Sequence, residues 1–285
     1  MNHKKRDLER VAFGIASMFG IYWIYSCLLK QYLSVNDSIK TILGMVVLYG
    51  LGLGLFLFIT RNIPVSAYEK RKVSMKTALL CFLLQFTAIL VLTVLVNVED
   101  SVGGNGTTTE INATSGYMLF LLLIFNPVME EVVFRKLFAD KLLKYGERFY
   151  VLVSAFCFAL VHGVSLGIPQ VMYTFILGMI WAYLFAKTED IKIVIVMHAL
   201  SNLFGSIIMQ TLLGISEVAA GMYSMCLIAL GILGLVLFFV HRKKLVLDGE
   251  MSLFKKTIIK DILTNKGILF YVILTVIAVC FLKLC

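Results

Sequence analysis

Two adjacent glutamates, Glu130 and Glu131, stand inside an otherwise apolar stretch, in Asn126-Pro-Val-Met-Glu130-Glu131-Val-Val-Phe134-Arg135. A carboxylate within reach of a bound water can act as a general base, and hydrolysis of an amide is the simplest reaction such a group supports. Arg135 follows Glu131 by four residues, about 40° around an α-helix, so an internal ion pair can hold Glu131 ionised. Glu130 projects about 100° away from Glu131 and stays free for proton transfer. Two histidines also fall in apolar segments, His162 in Phe158-Ala-Leu-Val-His162 and His198 in His198-Ala-Leu-Ser-Asn202. His198 and Asn202 are i,i+4 neighbours on one helix face, and both could donate hydrogen bonds to one developing oxyanion. Phe134 and Phe158 read as packing residues around these groups.

The same side chains admit two other readings. Two histidines and a glutamate could form a three-ligand zinc site with water in the fourth position. The helical HExxH spacing is absent and the histidines lie on different helices, so no cofactor is preferred and zinc is the alternative. Interhelical polar contacts that merely hold a bundle together are the bland reading. A carboxylate pair, an arginine and two histidines exceed what that role needs, because an ionisable residue at mid-membrane costs about 2.5–3.5 kcal/mol on insertion scales.

The elements that position these residues are set by composition. Of 285 residues 60% are hydrophobic and 15% charged, a balance suited to a bilayer rather than to water. Nine segments approach the roughly 20 apolar residues a membrane helix needs, at about 11 to 29, 39 to 60, 75 to 97, 117 to 138, 149 to 166, 168 to 186, 191 to 210, 217 to 240 and 267 to 284. The expected fold is all-α, a polytopic helical bundle of about nine spans, with eight as the alternative. The basic start (Lys4, Lys5, Arg6, Arg10) and first apolar run read as a retained signal anchor. Pro127 is expected to break the fourth segment. The six cysteines show no CxxC spacing and read as small helix residues.

The net charge of +9 follows topology. With alternate loops assigned to the cytoplasm, 22 of 26 Lys and Arg lie on that side, which places the N-terminus inside and, after nine spans, the C-terminus outside. A nucleic-acid partner is therefore not expected. Residues 97 to 116 lack Lys and Arg and read as an exterior loop; its two Asn-x-Thr triplets, at Asn105 and Asn112, read as chance matches. In 241 to 266, Phe254, Ile258, Ile259, Ile262 and Leu263 recur at helical spacing among lysines, as in a helix lying on an anionic leaflet, with a solvated charged linker as the alternative.

The ordered trio Glu-Glu-x-x-x-Arg, Phe-x-x-x-His and His-x-x-x-Asn, within 73 residues, resembles the signature of the CAAX prenyl protease and bacteriocin-processing (Abi) family of intramembrane proteases. The resemblance covers about residues 117 to 210. It implies a four-helix catalytic core enclosing a water-accessible chamber, in which Glu130 with His162 activates water, His198 and Asn202 stabilise the oxyanion, and Glu131 with Arg135 supports the site. Lys136 departs from the pattern, since many members carry Gly there. The chain then divides into N-terminal spans and exterior loop (1–116), the core (117–210), and C-terminal spans with the basic loop 241–266 (211–285).

The leading function is an intramembrane endopeptidase acting on a peptide or membrane-protein substrate in the cell membrane. The alternative is a non-proteolytic bacteriocin-immunity factor or scaffold with a regulatory membrane-protein partner. A transporter has less support, because no inverted repeat is evident. Prenyl-protein processing specifically is not implied, since the short outer loops look like those of a bacterial member.

Overall fold

A computed structural model describes residues 3–67, 70–101, 116–248 and 254–284, which are helical almost throughout. Eight helices are long and apolar enough to cross a bilayer: His3–Tyr32, Asp37–Thr60, Met75–Glu99, Gly116–Tyr145, Glu147–Val164, Gly167–Thr188, Ile191–Ile215 and Glu217–Lys244, taken below as spans 1 to 8. Two further helices, Lys256–Leu263 and Lys266–Phe281, meet at a 62° bend and make a ninth crossing if counted together. The chain is a multi-pass membrane protein with an all-helical bundle. In hydrocarbon each backbone N–H and C=O needs a partner within the protein, and a helix of about 20 apolar residues supplies nearly all of them from its own segment. The Asn105 and Asn112 triplets lie outside the described residues.

Polar side chains mark where several spans begin. Asn36 accepts from the backbone N–H of Ile39 (2.8 Å) and Asp190 from that of Lys192 (3.1 Å), each supplying a helix start with the acceptor its free N–H groups lack. Span 5 takes its cap from far along the chain: Asp248 accepts from the backbone of Glu147 (2.8 Å) and Arg148 (3.1 Å).

Span 4 departs from expectation. Pro127 does not break it; helical backbone continues from Gly116 to Tyr145, with π-helical turns at Leu121–Phe125 and Val132–Leu137 on either side of the proline. The first π turn explains the tolerance. The N–H of Asn126 reaches the carbonyl of Leu121, so the next bond in that register would run from residue 127 to Leu122. Proline has no N–H to give. The carbonyl of Leu122 is instead taken by the Asn202 side chain, whose Nδ2 donates at 2.8 Å.

Spans 5 and 6 join in a sharp turn at Gly167, whose φ of 80° and ψ of −174° lie where a side chain would be strained. Four residues earlier, a Cβ on Gly163 would collide with Val171. The two glycines let span 6 turn back directly beside His162.

Span 1 runs through the bundle, packing on span 2 and on the last helix, and meets span 4 through Phe19 stacked on Phe134 at 6.0 Å. Span 3 lies between spans 5–6 and span 8; Thr87 donates to the carbonyl of Gly231 at 2.8 Å. One end of the bundle gathers the chain's basic loops and laces them together. Lys4 pairs with Asp261 (3.0 Å), Lys144 with Asp7 (3.1 Å), Lys187 with Glu147 (2.6 Å), Arg148 with Asp248 (3.3 Å) and Arg71 with Glu189 (3.4 Å). Lys141 and Lys144 also donate to the carbonyls of Ile63 and Pro64, fixing the span 2–3 connection over the end of span 4. The helix Lys256–Leu263 sits at this end with Ile262 buried and Phe254, Ile259 and Leu263 exposed.

Candidate active site

The site is built where span 4 passes between spans 5 and 7. Glu131 and Arg135 are both wholly buried. Arg135 stands on the second π turn, which still returns the fourth residue to the face of Glu131, and its Nε lies 2.9 Å from Glu131 Oε2. Those two atoms approach without the alignment of a hydrogen bond, so charge attraction joins them. The guanidinium is held from other sides as well. Its Nη1 donates to Ser154 Oγ (3.1 Å), Ser154 donates in turn to the carbonyl of Phe134 (2.7 Å), and the guanidinium lies over the Phe158 ring at 4.7 Å. Tyr150 closes the arrangement by donating to the carbonyl of Arg135 (3.2 Å).

The second oxygen of Glu131 reaches His198. Its Oε1 lies 2.9 Å from His198 Nδ1, and a carboxylate is an acceptor only, so Nδ1 carries the proton and Nε2 faces the other way. His162 is fixed by the same logic. Its Nδ1 is 2.9 Å from the carbonyl of Phe158, four residues back on span 5, which assigns the proton to Nδ1 and leaves Nε2 outward.

Both outward nitrogens converge on Glu130. His162 Nε2 and His198 Nε2 each lie 3.9 Å from Glu130 Oε2, an oxygen that is buried and has no hydrogen-bond partner. The structure thus brings together Glu130, Glu131, Arg135, His162 and His198. Asn202 sits one turn beyond His198, partly buried, with one amide hydrogen committed to Leu122 and a second available. Phe158 packs against both histidines, with ring centroids 4.5 Å from His162 and 6.2 Å from His198, and Phe134 packs edge-on to Phe158 at 5.2 Å.

Zinc bonded to two imidazoles and a carboxylate at its usual distances would hold the donor atoms about 3.3 Å apart. The 3.9 Å separations are wider, and among the described residues no group of three His, Cys, Asp or Glu is arranged to hold a metal ion.

Three contributors escaped the reading of motifs. Ser154 and Tyr150 look like ordinary polar residues at the start of span 5, and Trp181 like a packing aromatic. Trp181 in fact lies flat on the His198 ring, centroids 4.2 Å apart and planes within 19°. The indole donates from Nε1 to Gln85 Oε1 (3.0 Å), a span 3 side chain that is 2% exposed. A lone glutamine midway along an apolar span was the available signal, since a buried carboxamide needs partners.

Residues 112–204, about a third of the chain, match the family described as type II CAAX prenyl endopeptidase Rce1-like. No curated protein and no solved structure matches the chain. The matched residues contain all seven specified side chains of the three motifs, and the family's description is that of an endopeptidase, a hydrolase of peptide bonds in the CAAX group to which the motifs pointed. The stretch running from the end of the span 3–4 connection to the first π residues of span 7, with the Glu130–His162–His198 cluster inside it, is thus similar to the type II CAAX prenyl endopeptidase Rce1-like family.

Proposed function

We propose that the chain is an intramembrane endopeptidase that uses Glu130 to activate water. One observation carries the reading: a buried carboxylate oxygen with no hydrogen-bond partner stands 3.9 Å from the Nε2 atoms of two histidines whose Nδ1 atoms are already engaged. A water bound to Glu130 and His162 gives its proton to the carboxylate as its oxygen attacks the scissile carbonyl carbon. The carbonyl oxygen becomes the oxyanion. His198 in its protonated form presents Nε2–H toward this space, with Glu131 balancing the added charge through Nδ1, and the second amide hydrogen of Asn202 is the other donor. The proton held by Glu130 then passes to the leaving nitrogen as the C–N bond breaks, which restores the carboxylate. Glu131 and Arg135 keep His198 in place and touch no substrate.

The mechanism routes no step through a metal, in keeping with the donor spacing. The basic end of the bundle is taken as cytoplasmic, following the distribution of Lys and Arg. The substrate is a peptide or membrane-protein segment that reaches Glu130 within the bilayer.

Membrane-protein cleavage products are compared in cells expressing wild type or Glu130→Gln at matched levels of inserted protein. Products that disappear with the variant are expected, and they supply substrates for the purified enzyme, whose activity should persist in the presence of a zinc chelator. Identical products with both proteins, alongside an intact cellular phenotype, would move the assignment to a non-proteolytic membrane scaffold.

A further inference from the structure

The contacts that fix His198 extend beyond the matched family segment. The hydrogen bond from Nδ1 to Glu131 pins one corner of the imidazole, and the ring can still pivot about that contact. The indole of Trp181 blocks the pivot by covering one face at 4.2 Å. Trp181 is itself 1% exposed, and its Nε1–H is directed at Gln85 Oε1 (3.0 Å). The same carboxamide turns its Nε2 toward Met197 Sδ at 3.7 Å, the residue immediately before His198. Gln85 thereby touches both the partner that stacks on His198 and the chain next to it. A leucine at position 85 would suit an apolar span better, because a carboxamide taken out of water loses free energy unless its hydrogen bonds are replaced.

The face of Trp181 also matches the charge that His198 must carry. An indole face attracts a cation lying over it, which complements the imidazolium that donates to the oxyanion. Facing the same ring are Glu131 at Nδ1 and Glu130 at Nε2, with Phe158 edge-on. The Arg135 guanidinium lies 5.7 Å from the Trp181 ring.

We propose that Gln85 and Trp181 are positioning residues for the reaction, Gln85 acting from span 3, outside the matched family segment, by locking the indole that sets the plane of the His198 ring. This rests on the proteolytic reading for its consequence, though the positioning itself is measurable without turnover. The N-terminal spans then complete the site rather than simply surround it.

The test uses the full chain in lipid nanodiscs. Only two tryptophans are present, so Trp23→Phe leaves Trp181 as the sole indole. A protonated imidazole in stacking contact quenches indole emission, and acidification should dim Trp181 in a step that His198→Gln abolishes and His162→Gln spares. Gln85→Leu is expected to cut the amplitude of that step at least twofold; if this variant is not monodisperse, Gln85→Met replaces it. An unchanged step in a folded Gln85 variant overturns the proposal. With a substrate in hand, Gln85→Leu should lower kcat about ten- to a hundredfold with little change in KM, the scale expected for a misoriented catalytic group. Because Trp181→Phe removes the N–H that Gln85 receives, adding Gln85→Leu to it should cost nothing more. Fully multiplicative losses would also overturn the proposal. If Glu130→Gln leaves cleavage intact, the glutamate-activated-water reading fails while the fluorescence result still decides whether Gln85 holds the stack.

Discussion

A basic side chain meets an acidic one in two parts of this molecule under opposite conditions. In the site, Glu131 and Arg135 are wholly buried and are encircled by Ser154, Phe158 and His198. At the basic end, pairs such as Lys4–Asp261 keep 23% and 27% of their side chains exposed. A rim pair exchanges one well-solvated state for another and gains little. A buried pair has surrendered its hydration, so each partner depends on the other and on the neutral groups around it. The site is therefore specified tightly by a few buried residues, while an exposed rim pair such as Lys4–Asp261 is a latch worth little by itself.

Removing one buried partner gives the sharpest contrast. Arg135→Met should lower stability by about 3–5 kcal/mol, read as loss of the folded fraction in detergent, because Glu131 is left buried and unpaired. Glu131→Leu combined with Arg135→Met should recover part of that stability while remaining inactive. A double variant no more stable than the single one would break the comparison.

Glu130 separates the chemistry from the scaffold inside the site itself. It makes no hydrogen bond through Oε2, so Glu130→Gln should cut turnover by about 10²–10⁴-fold and leave the unfolding midpoint unchanged. Ser154→Ala removes the neutral partner of Arg135 Nη1 and should destabilise by about 1–3 kcal/mol, the range for a buried donor left unsatisfied. At the rim, Asp261→Asn should change stability by about 0–1 kcal/mol, and less in high salt, where the exposed pair is screened. A rim substitution as costly as Ser154→Ala would show that the latches act together.

Much of the site was legible in its motifs. Charged residues inside apolar runs are conspicuous, and spacing of four places Glu131 beside Arg135 and His198 beside Asn202 on their helices. The spans were equally clear, since hydrocarbon thickness fixes a length that composition reveals. Pro127 was legible as a residue that cannot donate, but its consequence was not. Whether a missing N–H breaks a helix depends on whether another side chain takes the orphaned carbonyl, and here Asn202 does so from 80 residues away. Gln85 was visible as a polar residue in span 3 but carried no motif, because its partners lie on spans 6 and 7.

The sequence by itself determined that the chain crosses a membrane many times, because burial of apolar surface and satisfaction of the backbone both depend on local composition. It also determined which side chains could do chemistry, since their type and helical spacing are local properties. Only the tertiary structure decided that both Nε2 atoms turn to Glu130, that Trp181 covers His198, and that span 3 reaches into the site. Those choices depend on which helices pack together and on the hydrogen bonds each ring makes across them, and no spacing along the chain encodes that directly.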